Sequence, residues 1–111
     1  MATVLPGTLD VLVLKAVSLG AEHGYGLLLR IQELSNGALE VEQGALYPAL
    51  ARLESQDLIE SEWGTSDNNR RAKFYALTRT GRARLAKEQD AWNTMVDAMK
   101  LVLGAKKAAA R

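Results

Sequence analysis

The segment from Glu42 to Gln56 reads EQGALYPALARLESQ and predicts the helix around which the fold is organised. Three leucines recur at the i, i+4 and i+7 spacing of one helix face, namely Leu46, Leu50 and Leu53. Pro48 is unfavourable inside a helix because its ring crowds the carbonyl group four residues earlier. That residue is Gly44, whose backbone adjusts at the lowest steric cost, so we expect the helix to tolerate this proline near its start.

Two shorter helices precede this segment. Residues 8–19 place apolar side chains at helical spacing behind a candidate cap at Thr8, and Gly20 ends the pattern. Residues 25–34 carry a second apolar stripe, and the Ser-Asn-Gly sequence after it suits the positive φ angles of a helix end. The order of elements up to this point is therefore helix, helix, helix.

A basic β-hairpin is predicted directly after the third helix. Residues 58–63 alternate in polarity, with Ile59, Ser61 and Trp63 on one side of the strand. Residues 64–70 form a polar loop, and residues 71–78 read as the returning strand. Three basic residues lie at or beside the loop tip, namely Arg70, Arg71 and Lys73.

A long final helix follows the hairpin, with Thr78 or Thr80 as its cap. Its apolar residues fit the a and d positions of a heptad repeat, and Glu88 is the polar exception. The stripe consists of Leu85, Trp92, Met95, Met99 and Val102. We expect it to pair two copies of the chain, with Trp92 either filling the dimer core or offering an aromatic effector a flat surface. The basic, alanine-rich residues 105–111 are expected to be disordered.

Composition indicates one globular domain without disulfide bonds. The chain has 111 residues, of which 48% are hydrophobic and 24% charged. The absence of cysteine excludes a thiolate nucleophile and cysteine-based zinc sites. The apolar run at residues 11–14 is too short to span a bilayer, and the start lacks the basic region of a signal peptide, so we expect a cytoplasmic protein.

Charge is unevenly distributed along the chain although the net charge is only +1. Residues 1–60 carry 3 basic and 8 acidic side chains, whereas residues 61–82 carry 5 basic and 2 acidic ones. A polyanionic partner would therefore be met mainly by the second half of the chain.

Three helices followed by a basic hairpin predict a winged helix-turn-helix domain over residues 1–78, with a dimerisation helix over residues 79–104. In this mainly α (α+β) fold, the third helix enters the major groove of DNA and the hairpin reaches the phosphates. The candidate DNA-contacting residues are Gln43, Gly44, Ala45 and Tyr47 on the third helix, Tyr25 on the second, and Arg70, Arg71 and Lys73 in the wing. The alternative for each group is an ordinary solvated surface, and for Tyr25 a purely structural role.

An enzymatic function is not supported by the sequence. His23 is the only histidine, so a histidine metal site lacks a second ligand, and we expect a structural role at a turn or helix start. No nucleophile elbow, P-loop or dinucleotide-binding loop is present, so no cofactor is expected.

Four sequence segments, taken together, resemble the PadR family of bacterial regulators over about residues 5–103. They are GTL at 7–9, HGYG at 23–26, GALYPAL at 44–50 with RLE at 52–54, and RRAKFYALT at 70–78 followed by Gly81. The resemblance implies a homodimeric winged-helix protein. Its implied DNA contacts are Gln43, Ala45 and Tyr47 at the start of the third helix, Tyr25, and Arg70, Arg71 and Lys73 in the wing. The single C-terminal helix is similar to the short branch of the family, in which an aromatic residue at the position of Trp92 lies in the dimer interface.

The resemblance also implies a repressor that binds inverted repeats and releases them when a small molecule binds. A second hypothesis is a ligand-sensing or protein-binding module that has lost DNA binding, since the acidic first half of the chain repels a polyanion.

Overall fold

The computed structural model describes residues 2–3 and 7–108. Its elements are β1 (Ala2–Thr3), α1 (Leu9–Ser18), β2 (Glu22–His23), α2 (Gly24–Leu34), β3 (Leu39–Glu40), α3 (Gln43–Ser55), β4 (Ile59–Thr65), β5 (Arg71–Leu77) and α4 (Arg79–Leu103). The predicted order of three helices, a hairpin and a long helix is confirmed, and the chain has the winged-helix fold. Helix α3 continues through Pro48 as expected.

Three strands of two residues each were not predicted. β2 pairs antiparallel with β5, which extends the hairpin to a sheet of order β2-β5-β4. β1 pairs in parallel with β3. Two residues are too few to show the alternation of polarity that identifies a strand in a sequence. The extra strand β2 has a structural consequence, because it joins the start of α2 directly to the wing.

The hydrophobic core lies between α1 and the elements packed around it. α1 contacts α2, α3, α4 and β5. The largest fully buried side chains of the core are Val13, Leu14, Val17, Leu27, Leu46, Leu50, Leu53, Leu58 and Ile59. Helix α4 contributes Leu85 to this core, where the residue is only 7% exposed. Beyond Leu85 the helix leaves the domain, and the molecule is 67 Å long but only 29 Å and 20 Å across.

Arg30 connects three elements around the end of α1. Its Nη1 atom donates to the carbonyl oxygens of Ala16 and Gly20, both at 2.7 Å. Its Nη2 atom lies 3.7 Å from Oε2 of Glu22 in β2. A guanidinium group satisfies helix-end carbonyls through several donors at once, so this side chain fixes α2 and β2 against α1.

The start of α4 is fixed against the turn between α3 and β4. Oγ1 of Thr78 accepts a hydrogen bond from the amide of Gly81 at 2.9 Å and donates one to the carbonyl of Asp57 at 2.6 Å. Of the two predicted candidates, Thr78 and Thr80, Thr78 is therefore the N-cap of α4. Gly81 is buried, and a Cβ atom at this position would lie 1.8 Å from the carbonyl oxygen of Leu58. The helix can approach this closely only because residue 81 has no side chain.

Within the described ranges, none of the helices combines the length and the hydropathy that crossing a membrane requires. Residues 105–108 follow α4 without regular secondary structure, and residues 109–111 of the predicted tail lie outside the described residues.

We predict that Gly81→Ala lowers the free energy of unfolding by about 3 kcal/mol, because the new methyl group overlaps a backbone oxygen that cannot move without shifting the strand. Gly44→Ala is the matched control, since a Cβ atom there meets nothing within 4 Å. That control should be neutral or up to about 1 kcal/mol more stable. Urea unfolding at equal protein concentration, followed by circular dichroism, measures both variants, and equal stability of Gly81→Ala and the parent chain would contradict the packing described here.

Candidate nucleic-acid interface

The N-terminal end of α3 is an exposed surface with small side chains. Its inward face is buried through Leu46, Ala49, Leu50 and Leu53. The helical period therefore turns the other side outward, and all four of the residues predicted there are exposed, namely Gln43, Gly44, Ala45 and Tyr47. Because Gly44 and Ala45 add little bulk, a ligand can come close to the backbone at this end of the helix.

Tyr47 lies against the beginning of α2. A Cβ atom on the buried Gly24 would come within 2.7 Å of Cε1 of Tyr47, so the tyrosine ring occupies the space that a larger residue would take. Tyr25, the next residue of α2, is half-exposed and faces the same region as Tyr47. These two tyrosines form one wall of a groove.

The wing forms the opposite wall. In the register of the hairpin, Trp63 pairs with Lys73 and Thr65 pairs with Arg71. Cζ of Arg71 lies 4.8 Å from the centroid of the Trp63 ring, and Nζ of Lys73 lies 5.7 Å from it. The loop beyond is closed by a hydrogen bond of 2.8 Å from the amide of Ser66 to the carbonyl of Arg70. The three predicted basic residues are thus held beside one another at the end of the sheet.

The groove between these walls has a volume of about 530 Å³. It brings together five of the eight predicted DNA-contacting residues, namely Tyr25, Tyr47, Arg70, Arg71 and Lys73. The other three, at residues 43–45, do not line it and lie on the exposed end of α3. Trp63, His23 and Tyr75 also line the groove but were not among the predicted DNA-contacting residues. The sequence already placed Trp63 on the same side of its strand as Ile59 and Ser61. Only the register of the hairpin shows that Lys73 lies opposite Trp63 on the neighbouring strand.

Tyr75 lines the groove and is uncharged at neutral pH. Tyr75 is 7% exposed, and burial is the main cause that raises its pKa, followed by the negative charge of Glu54 and by Tyr47. The phenol therefore stays protonated. Glu54 accepts a hydrogen bond from the hydroxyl of Ser61, which links α3 to β4.

The two faces of the wing carry opposite charge. Arg71 and Lys73 lie on the same face of β5 as the buried Tyr75, alternate with Ala72 and Phe74, and share the groove side with Trp63. Glu60 and Glu62 alternate with Ser61 and Trp63 along β4 and are exposed on the other side of the sheet. A polyanion is therefore attracted to the groove side and repelled from the outer side.

His23 has a structural role, as expected. It is the N-cap of α2, and its Nδ1 atom accepts a hydrogen bond of 3.0 Å from the amide of Gly26. Its ring also makes an edge contact with Phe74, with 5.4 Å between centroids. In the part of the chain that the structure covers, no group of three histidine, cysteine or carboxylate side chains is placed to hold a metal ion.

The apolar stripe of α4 is exposed except at its beginning. Trp92, Met95, Met99 and Val102 are between 43% and 73% exposed. Leu85 is buried in the core of its own chain, so it does not share this exposed surface. Leu85 belongs to the part of α4 that packs into the domain, and α4 contacts α1. The heptad pattern alone does not show where a long helix leaves its domain.

Known proteins share both the sequence pattern and this architecture. A family model described as the transcriptional regulator PadR-like family matches residues 13–87. A transcriptional regulator of Mycobacterium tuberculosis is 42% identical over 60 residues, which cover 54% of this chain and 55% of that protein. A PadR family regulator from Eggerthella lenta has a similar crystal structure, with a TM-score of 0.74 and 31% identity over 90% of this chain and 85% of that one. For a PadR family regulator from Clostridium difficile the TM-score is 0.74 and the identity 27%, over 87% and 99% of the two chains.

Proposed function

Because the chain belongs to the PadR-like family of transcriptional regulators, which are not enzymes and which bind DNA, typically as dimers, we propose that it is a homodimeric repressor. It occupies an inverted-repeat operator in the cytoplasm and leaves it when a small aromatic molecule binds. The observation that carries the DNA-binding part is the groove, in which two tyrosines face three cationic side chains next to the exposed end of α3.

The end of α3 reads bases in this proposal. A glutamine at position 43 can bond adenine with two hydrogen bonds, and the methyl group of Ala45 can contact a thymine methyl in the major groove. Two copies of α3 in a dimer read two half-sites about one helical turn apart, which requires a pseudo-palindromic operator. Selection of bound fragments from random DNA tests this arrangement, and selected sites without a two-fold repeat would contradict it.

The wing supplies most of the sequence-independent affinity. Arg70, Arg71 and Lys73 are exposed and lie on the groove side, where they can contact phosphates. Residues 1–60, which contain the first three helices, carry 8 acidic and only 3 basic side chains, so these helices add little to the attraction.

We predict that replacing Arg70, Arg71 and Lys73 by alanine weakens binding to operator and to unrelated duplex DNA alike. For every phosphate that the variant no longer neutralises, the slope of log K against log salt should become shallower by about 0.9. The matched control removes three exposed charges away from the groove, at Lys15, Lys106 and Lys107. Titration over a range of salt concentrations measures both variants.

An unchanged slope in the wing variant would overturn the wing assignment. If the parent chain itself fails to bind its own promoter region and any selected fragment, the second candidate, a ligand-sensing or protein-binding module, is favoured. The specific observation behind that candidate is the excess of 8 acidic over 3 basic side chains in residues 1–60.

Dimerisation is assigned to the exposed stripe of α4. Trp92, Met95 and Met99 lie on successive turns of one helix side, where apolar surface of this extent calls for a partner. A second copy of the same helix offers a self-complementary surface, as a two-fold dimer requires.

We predict that Met95→Glu combined with Met99→Glu converts the dimer to a monomer, because four carboxylates would then be buried between the two helices. Ala86→Glu with Thr94→Glu adds the same charge on the other side of α4, where both residues are exposed, and should leave the dimer intact. Sedimentation equilibrium at micromolar concentration gives the masses. A dimeric Met95/Met99 variant would show that the interface lies elsewhere.

An effector site between the protomers is proposed at Trp92, which is 43% exposed and is followed by two adaptable methionines on the next turns. In a Trp63→Phe chain, Trp92 is the only tryptophan. Saturable quenching of its fluorescence by acridine or 2-naphthol, together with weaker operator binding, is the expected result. The Trp92→Phe chain is the control, and equal quenching of Trp63 in that chain would exclude a specific site.

A further inference from the structure

The indole ring of Trp63 in the wing lies against two basic side chains, Arg71 and Lys73. Its side chain is 54% exposed, yet it lies on the groove side of the sheet with two of the three basic wing residues against its ring. Arg71 and Lys73 both lie within the distance of about 6 Å at which a cation is attracted to an aromatic face, at 4.8 and 5.7 Å.

This arrangement follows from the strand register. Trp63 is directly opposite Lys73, and Arg71 is the diagonal neighbour on the same face of the antiparallel pair. Arginine and lysine are long side chains that lose rotamer freedom when they bind a phosphate. Because the ring already holds both cations on the groove side, they lose less rotamer freedom when DNA binds.

We propose that Trp63 is a positioning residue for DNA binding, which acts by holding Arg71 and Lys73 toward the groove. The inference rests on the proposed function, since it assumes that these two cations bind phosphates. A positioning role differs from a direct contact of the indole with DNA. If Trp63 only positions the two cations, the effect of removing its ring must depend entirely on their presence.

The test is a double-mutant cycle on one operator duplex. Trp63→Ala should weaken binding about tenfold, because in each of the two wings of a dimer the ring no longer attracts its two cations, and each attraction is of modest size. The slope of log K against log salt should not change, since every charge is retained. In a chain that already carries Arg71→Ala and Lys73→Ala, the same Trp63→Ala substitution should change the affinity less than twofold.

Conservative variants separate positioning from folding. Trp63→Phe keeps an aromatic face and should retain affinity within about threefold of the parent chain. Glu62→Gln alters the neighbouring residue on the outer side of the same strand and should not weaken binding. Thermal unfolding of each variant verifies that the wing domain is folded at the assay temperature.

Three results would be decisive against the inference. If Trp63→Ala binds as tightly as the parent chain, the ring does not position the cations. If its effect is equally large without Arg71 and Lys73, the indole itself contacts DNA. If the Arg71/Lys73 variant retains full affinity and an unchanged salt slope, the proposed function of the wing fails, and this outcome is distinct from the other two.

Discussion

The register of β4 against β5 determines what the wing presents. Side chains alternate between the two faces of a strand, so a slip by one residue would exchange the faces completely. In the observed register, Tyr75 points into the domain while Lys73 and Arg71 share the groove side with Trp63. A slipped hairpin would turn the cations outward and the buried phenol into solvent. The hydrogen bond from the amide of Thr78 to the carbonyl of Leu58 fixes this register at the base of the hairpin.

The helices and the hairpin could be predicted because their signals are local. The leucine spacing of residues 46–53 defines α3, and the polar loop defines the turn of the wing. β2 escaped prediction because its two residues acquire strand character only by pairing with β5, which is about 50 residues away in the chain. Leu85 was assigned to the pairing stripe because one helical period runs through both the packed and the free part of α4. The relation of Trp63 to its cations also required tertiary information.

Strand alternation separates the charges of the wing, in addition to the contrast between the acidic first half and the basic second half of the chain. The same hairpin carries Glu60 and Glu62 on its outer side and the basic residues on the side of the groove. A protein with a net charge of only +1 can thus offer a polyanion one strongly preferred orientation. The acidic first half, which alone would oppose DNA binding, favours approach through the wing.

The junction at Gly81 makes α4 a rigid lever on the winged domain. The helix has 25 residues and is continuous with the domain through the cap at Thr78 and the close approach to Leu58. At about 1.5 Å per residue, the helix is about 37 Å long. If the helix tilts by about 5° about its C-terminal end, the winged domain at the other end moves by about 3 Å. That distance is close to the rise of one base pair, about 3.4 Å. In the proposed dimer, small rotations between two such helices would therefore correspond to whole base-pair steps in the spacing of the two domains.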